Sequence, residues 1–214
     1  MARGVSGLIA ASSGGLLFVV VDLIALLVLD FDQRLSEVVT SFGWHFQSAI
    51  SLVAGTLVTL GLVCLYARRA EAMGTFGLVS FLVAFFGLVL ALGFVWDISF
   101  TVPSVAIAAP ELLGSYPPGL FAGGAALSLA LADLGLLLFG VAILRDGFYP
   151  RTAATLLIIG AALSGALGAL VSGWPSSGLV QVGVGTDIVL EAGIIWLGLA
   201  LYSESAPPST LTHP

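Results

Sequence analysis

Apolar residues in this chain gather into long runs separated by short polar stretches. Six runs stand out, at about 7–29, 47–67, 75–96, 120–144, 152–171 and 179–202. At 1.5 Å per residue, about 20 helical residues cross the roughly 30 Å of a bilayer's hydrocarbon core. Each run meets that length. The pattern predicts an all-α fold, a polytopic transmembrane bundle of six spans in a single domain over residues 1–202, with 203–214 as a disordered cytoplasmic tail. The first run is too long for a signal peptide, contains Asp22 and is followed by no small-residue cleavage site, so it is expected to be a retained helix.

The arginines orient this path. Arg3, Arg68, Arg69, Arg145 and Arg151 fall on one side of six alternating spans, and Arg34 on the other. The positive-inside rule then predicts both termini in the cytoplasm, in a multi-pass protein of the bacterial cytoplasmic (inner) membrane. "YARRAEAMG" and "RDGFYPR" read as short cytoplasmic turns. In the second, Gly147 is placed to close one helix, and Pro150 to stop it and begin the next. Residues 30–46 can form a short interfacial helix. Residues 99–118, cut by four prolines, are expected to lie across the outer mouth.

Composition points the same way. The chain is 59% hydrophobic and 8% charged, against about 25% charged in a soluble domain. Its net charge of −6 excludes a nucleic-acid partner, which calls for a basic face. The expected partners are membrane lipid and either a second copy or a larger membrane complex. Cys64 is the single cysteine, His45 and His213 are far apart, and no ligand spacing suggests a metal. All six cations are arginine; without a lysine there is no retinal Schiff base, and without paired intramembrane histidines no b-type haem. No cofactor is expected. Small residues recur in "GAALSGALGAL", where Ala161–Gly165 and Ser164–Gly168 have the spacing of closely packed helices. That spacing suits packing within the bundle, with a dimer face as the alternative.

"LGLLLFGVAILRDGFYPR" (134–151), followed by "IIWLGLALY" (194–202), resembles bacterial six-helix integral membrane proteins of unknown function. The resemblance implies the fold and carries no activity.

The candidate chemistry lies in four acids within the runs: Asp22, Asp133, Asp187 and Glu191. An Asp at a helix centre costs about 2.5–3.5 kcal/mol to insert, so these side chains are expected to face the bundle interior or a wet cavity. Asp22 falls in the outer half and Asp133 near the midplane. Asp187 lies about 12 Å and Glu191 about 18 Å below the outer edge, at 1.5 Å per residue. Asp187 and Glu191, four residues apart, share a helix face. With no cation nearby, at least one of them is expected to be protonated at neutral pH. Ser128, Gln181, Thr186 and His45 are possible pocket neighbours. "GVG" before Thr186 can break the helix, with Thr186 or Asp187 as a cap.

Three functions follow. The first is a non-enzymatic bundle, a structural or accessory membrane subunit in which neutral carboxyls hydrogen-bond between helices. The second is a pocket opening outward that binds or transports a proton, a cation or a cationic solute. The third is a membrane-embedded lipid-modifying enzyme using Asp22, His45 and Asp187 for acid–base work. His45, Trp44, Trp96, Trp174 and Trp196 also fit an interfacial aromatic belt. No catalytic motif such as GxSxG or HExxH is present.

Overall fold

The computed structural model describes residues 2–114, 120–170 and 177–205. Trp174, His213 and the chain from 206 onward lie outside the described residues. Among the described residues the regular structure is helical: α1 (Ala2–Leu27), α2 (Leu35–Thr40), α3 (Phe42–Trp96), a π-helical turn (Asp97–Thr101), α4 (Val102–Ala108), α5 (Pro110–Gly114), α6 (Leu120–Asp146), α7 (Arg151–Leu170) and α8 (Ser177–Ser205). Five of these helices are long and apolar enough to cross a membrane.

The runs at 47–67 and 75–96 are joined in α3, which breaks at Gly74 (φ 60°, ψ −160°). This backbone region is essentially restricted to glycine, and it turns the chain back on itself. The rings of Tyr66 and Phe81 stack 4.3 Å apart, whereas in a straight helix these residues would stand about 22 Å apart. A Cβ on Gly55 would lie 2.7 Å from Leu92 Cδ2. The two arms of α3 therefore run antiparallel. The first arm starts at the capping residue Ser41, whose hydroxyl accepts from Trp44 N–H at 3.2 Å and donates to Val38 O at 2.7 Å.

With the arms of α3 taken separately, neighbours in sequence are neighbours in space. Gly14 of α1 meets Val58 on the first arm, and Gly87 and Ala84 on the second arm meet Ala132 and Gly135 of α6. Gly140 of α6 meets Ile158 of α7, Gly160 of α7 meets Leu190 of α8, and Gly198 of α8 returns to Ser12 of α1. The ring is closed, and small residues at each seam let the helices approach closely.

Two apolar clusters divide the bundle along its axis. The larger fills the half toward the Gly74 and Gly147 turns, with Phe139, Ile143, Leu157 and Leu197 fully buried. The smaller caps the opposite end. There Ala25, Phe31, Val38, Val39, Trp44, Val102, Ala106 and Leu113 bring the end of α1 and the start of α3 together with α2, α4 and α5. Trp44 Nε1–H donates to Ile98 O at 3.0 Å across this cap. Residues 30–46 hold the short helix α2, and α4 and α5, from 99–118, pack with it at this end of the bundle; residues 115–119 fall outside the described residues.

Two expectations are corrected. The glycines of "GVG" do not break α8, which runs unbroken from Ser177 to Ser205. Neither Gly183 nor Gly185 has a positive φ, and Thr186 donates to Gly183 O at 2.7 Å inside the helix instead of capping a new one. The helix also includes residues 203–205, which were assigned to the tail; helical hydrogen bonding continues past the last apolar residue. The α6–α7 turn is as expected. Gly147 adopts φ +71°, its N–H bonds Ile143 O at 3.1 Å, and Pro150 O accepts from Ala154 at 3.2 Å at the start of α7.

Candidate functional site

Each of the four acids stands where its helix leaves the larger core. Asp22 follows Phe18 and precedes Ala25, so it lies between the two apolar clusters. Asp133 comes one turn before Leu136, and Asp187 two turns before Ile194. The helix pairing brings these positions to one level. Asp133 packs on α7, where a Cβ on Gly165 would be 3.3 Å from Asp133 Cβ and 3.5 Å from its Oδ2. On the other side of α7, Gly160 meets Leu190, and a Cβ on Gly183 would lie 3.7 Å from Leu167 Cδ2. Ser164 thus stands on α7 between the helices that carry Asp133 and Asp187.

The remaining pairings close the cluster. Asp187 is within Coulombic reach of Asp22, Asp133 and Glu191, and Glu191 also acts on Asp22. Three helices therefore deliver four carboxyls to one layer, and α7 contributes the serine among them. No cation is among the groups acting on any of them. Glu191 is 4% exposed. Among the described residues, its Oε2 and Asp22 Oδ2 are buried with no hydrogen-bond partner. Buried polar atoms almost always have one, so this pair is the anomaly of the molecule.

The expected neighbours divide differently. Ser128 is buried but donates to Ala125 O at 2.8 Å on its own helix. Thr186 is likewise bonded within its own helix. Gln181 is exposed. His45 is exposed, with Nδ1 2.8 Å from Ser41 O, and is not among the groups acting on Asp22 or Asp187. The acid–base trio of Asp22, His45 and Asp187 is not assembled. The sequence reading missed two polar groups. Ser164 was read only as a small packing residue. Gln47 reaches from α3 to α1, donating to Val21 O at 3.4 Å beside Asp22. Its neighbour Ser51 donates to Gln47 O at 2.9 Å.

The layer is bounded on one side by a dry core. A gap of about 20 Å³ lies within it, lined by Ala11, Val58, Leu62, Leu65, Leu136, Phe139, Leu157, Ile194 and Leu197. A gap with such walls stays empty of water. Among the described residues, no three His, Cys, Asp or Glu side chains converge closely enough to hold a metal ion. Compared with protein-family models, curated proteins and solved structures, the chain has no match.

Proposed function

We propose that the chain is a membrane protein whose acidic layer binds protons in exchange for a cation or cationic solute, reached from the outer side. In this reading the two arms of α3 are separate crossings, which makes six with α1, α6, α7 and α8. The arginines place both termini in the cytoplasm of a bacterial inner membrane. The likeness of 134–151 and 194–202 to bacterial six-helix proteins supports the same topology.

One observation carries the functional reading. Among the described residues, Asp22 Oδ2 and Glu191 Oε2 are buried and unpartnered, and both carboxyls are within electrostatic reach of Asp187. Bundles leave such oxygens unsatisfied at a cost of about 1–3 kcal/mol each, which a binding site explains and packing does not. The apolar core beneath the layer favours a pocket that opens to one side over a continuous channel.

The structural reading, a subunit held together by neutral interhelical hydrogen bonds, has one observation in its favour: Ser164 of α7 stands between the helices that carry Asp133 and Asp187. It leaves the two orphan oxygens without a role.

The test uses the full chain in liposomes suspended in weakly buffered medium that contains a pH-sensitive dye, with Na⁺ or tetramethylammonium added to that medium. Wild type is expected to move protons in response to at least one of them, and Asp187→Asn and Glu191→Gln, still folded, to lose the response. If neither cation moves protons in wild type, or both variants respond as wild type does, the proposal fails.

A further inference from the structure

We propose that Arg145, stacked on Phe76 at the head of an exposed apolar row, seats the headgroup of an anionic phospholipid. The seat is separate from the acidic layer and shares with it only the placement of the chain in a membrane.

Two arginines beside the Gly74 and Gly147 turns lie over phenylalanine rings. Arg69 Cζ is 4.3 Å from the Phe148 centroid, and Arg145 Cζ is 4.4 Å from that of Phe76. Arg69 also holds the Asp146 carboxylate through two nitrogens. Arg145 is exposed and, among the described residues, has neither an ion pair nor a hydrogen bond. Its neighbour Asp146 is committed to Arg69, and Glu71, the other acid at this end, is exposed and not paired with it. A ring against a guanidinium fixes its place and uses none of its five N–H donors. The fork that takes a carboxylate at Arg69 suits a phosphate equally well.

The surface next to Arg145 selects the rest of the ligand. Phe76 begins a row with Val79, Phe86 and Leu90 on the second arm of α3. At 100° per residue these four fall within a sector of about 80°. They are between 37% and 58% exposed. The row runs beside the face of Ala84 and Gly87 that packs on α6, the helix that carries Arg145. From Phe76 to Leu90 it extends about 21 Å, at 1.5 Å per residue, against roughly 15 Å of hydrocarbon in one leaflet. A cation at the end of an apolar row as long as an acyl chain fits an amphiphile with an anionic head.

Charge favours the same ligand. Arg68, Arg69, Arg145 and Arg151 gather at this end with Glu71 and Asp146, whereas Asp30, Asp32, Glu37, Asp97 and Glu111 stand with Arg34 alone at the other. Arg68 and Arg151 are exposed and, among the described residues, make no ion pair. They add to the positive potential that draws anionic lipid to this end.

Native mass spectrometry of the full-length protein in non-ionic detergent reads the binding without any need for transport. Titration with dioleoyl phosphatidylglycerol is expected to give a saturable complex, and dioleoyl phosphatidylcholine one about tenfold weaker. Arg145→Gln should weaken phosphatidylglycerol about tenfold. Phe76→Leu, which keeps the apolar row but deletes the ring, should weaken it several-fold. Arg34→Gln, at the opposite end, should leave it unchanged, and inorganic phosphate should not displace the lipid. Equal affinity for the two lipids, wild-type affinity in Arg145→Gln or Phe76→Leu, or equal losses in Arg145→Gln and Arg34→Gln overturns the seat. Displacement by inorganic phosphate assigns Arg145 to a free anion and overturns the lipid. Phosphatidylglycerol held at Arg145 by a protein that exchanges no cation leaves the seat standing and removes only the exchange function.

Discussion

Arg69 grips Asp146 with both arms of its guanidinium, Nε at 3.0 Å from Oδ2 and Nη2 at 3.1 Å from Oδ1. The pair ties the end of the first arm of α3 to the end of α6, beside the Gly74 and Gly147 turns. The Phe148 ring lies 4.3 Å beneath the Arg69 guanidinium. Close by, the buried Tyr149 donates its hydroxyl to Leu65 O at 3.1 Å.

The two partners are unequally placed, with 30% of the Arg69 side chain exposed but only 3% of Asp146. Removing Arg69 strands a buried carboxylate, whereas neutralising Asp146 frees an arginine that can turn to water. Arg69→Ala is expected to lower stability by about 2–3 kcal/mol and Asp146→Asn by about 1 kcal/mol. Unfolding midpoints in mild detergent give the order directly. Equal losses, or a larger loss for Asp146→Asn, would contradict this account of the pair.

Gly74 has nothing within 4 Å of the place where a Cβ would stand. A substitution there meets no clash, only the strain of its backbone angles. Gly74→Ala should therefore cost about 1–3 kcal/mol. Gly147→Asn, in a left-handed position that asparagine tolerates, should cost well under that. Denaturation of both variants in mixed micelles compares them. A fully stable Gly74→Ala would mean that this residue does not set the reversal of α3.

Glu191 distinguishes a binding site from structural glue by the sign of one stability change. An interhelical hydrogen bond is worth about 0.6 kcal/mol, so glue predicts a loss on replacement. An orphan oxygen predicts a gain. Glu191→Met, similar in length and apolar, is expected to raise the unfolding midpoint, worth about 1–3 kcal/mol, while abolishing proton–cation exchange. A lower midpoint would assign Glu191 to the packing.

The cap makes access to the layer measurable. Trp44→Phe keeps the ring's apolar contacts but deletes the bond to Ile98 O, a loss of about 1 kcal/mol. Carboxyl modification by a water-soluble carbodiimide should then reach Asp22 and Glu191 faster than in wild type. Unchanged labelling would show that α2, α4 and α5 do not control entry.

The apolar runs were readable because lipid length is a constraint on composition, and the turns because Gly74, Gly147 and Pro150 carry their own backbone geometry. The ends were less so. Helix α3 begins at Phe42 and its first arm continues through Arg68 and Arg69, since a capped helix extends beyond the apolar part that hydropathy detects. The four acids were legible as anomalies, and rise per residue put all four between the midplane and one face. Which residues would join them was not. Ser164 has the spacing of a packing residue, and only the α6–α7–α8 register places it between the helices of Asp133 and Asp187. Arg69 and Asp146 were both visible, but their partnership is a fact of register that no local pattern encodes. "GVG" misled because glycine permits a break without requiring one.

Calorimetric titration of the purified chain with Na⁺ and with tetramethylammonium, in buffers of differing ionisation enthalpy, tests the central claim most directly. A cation that displaces protons binds more tightly as pH rises, because fewer protons then compete for the same carboxyls. The account predicts release of at least one proton with one of these cations, affinity that increases with pH, and loss of both in Asp187→Asn. Heats that do not depend on the buffer, or proton release that survives the substitution, would contradict it.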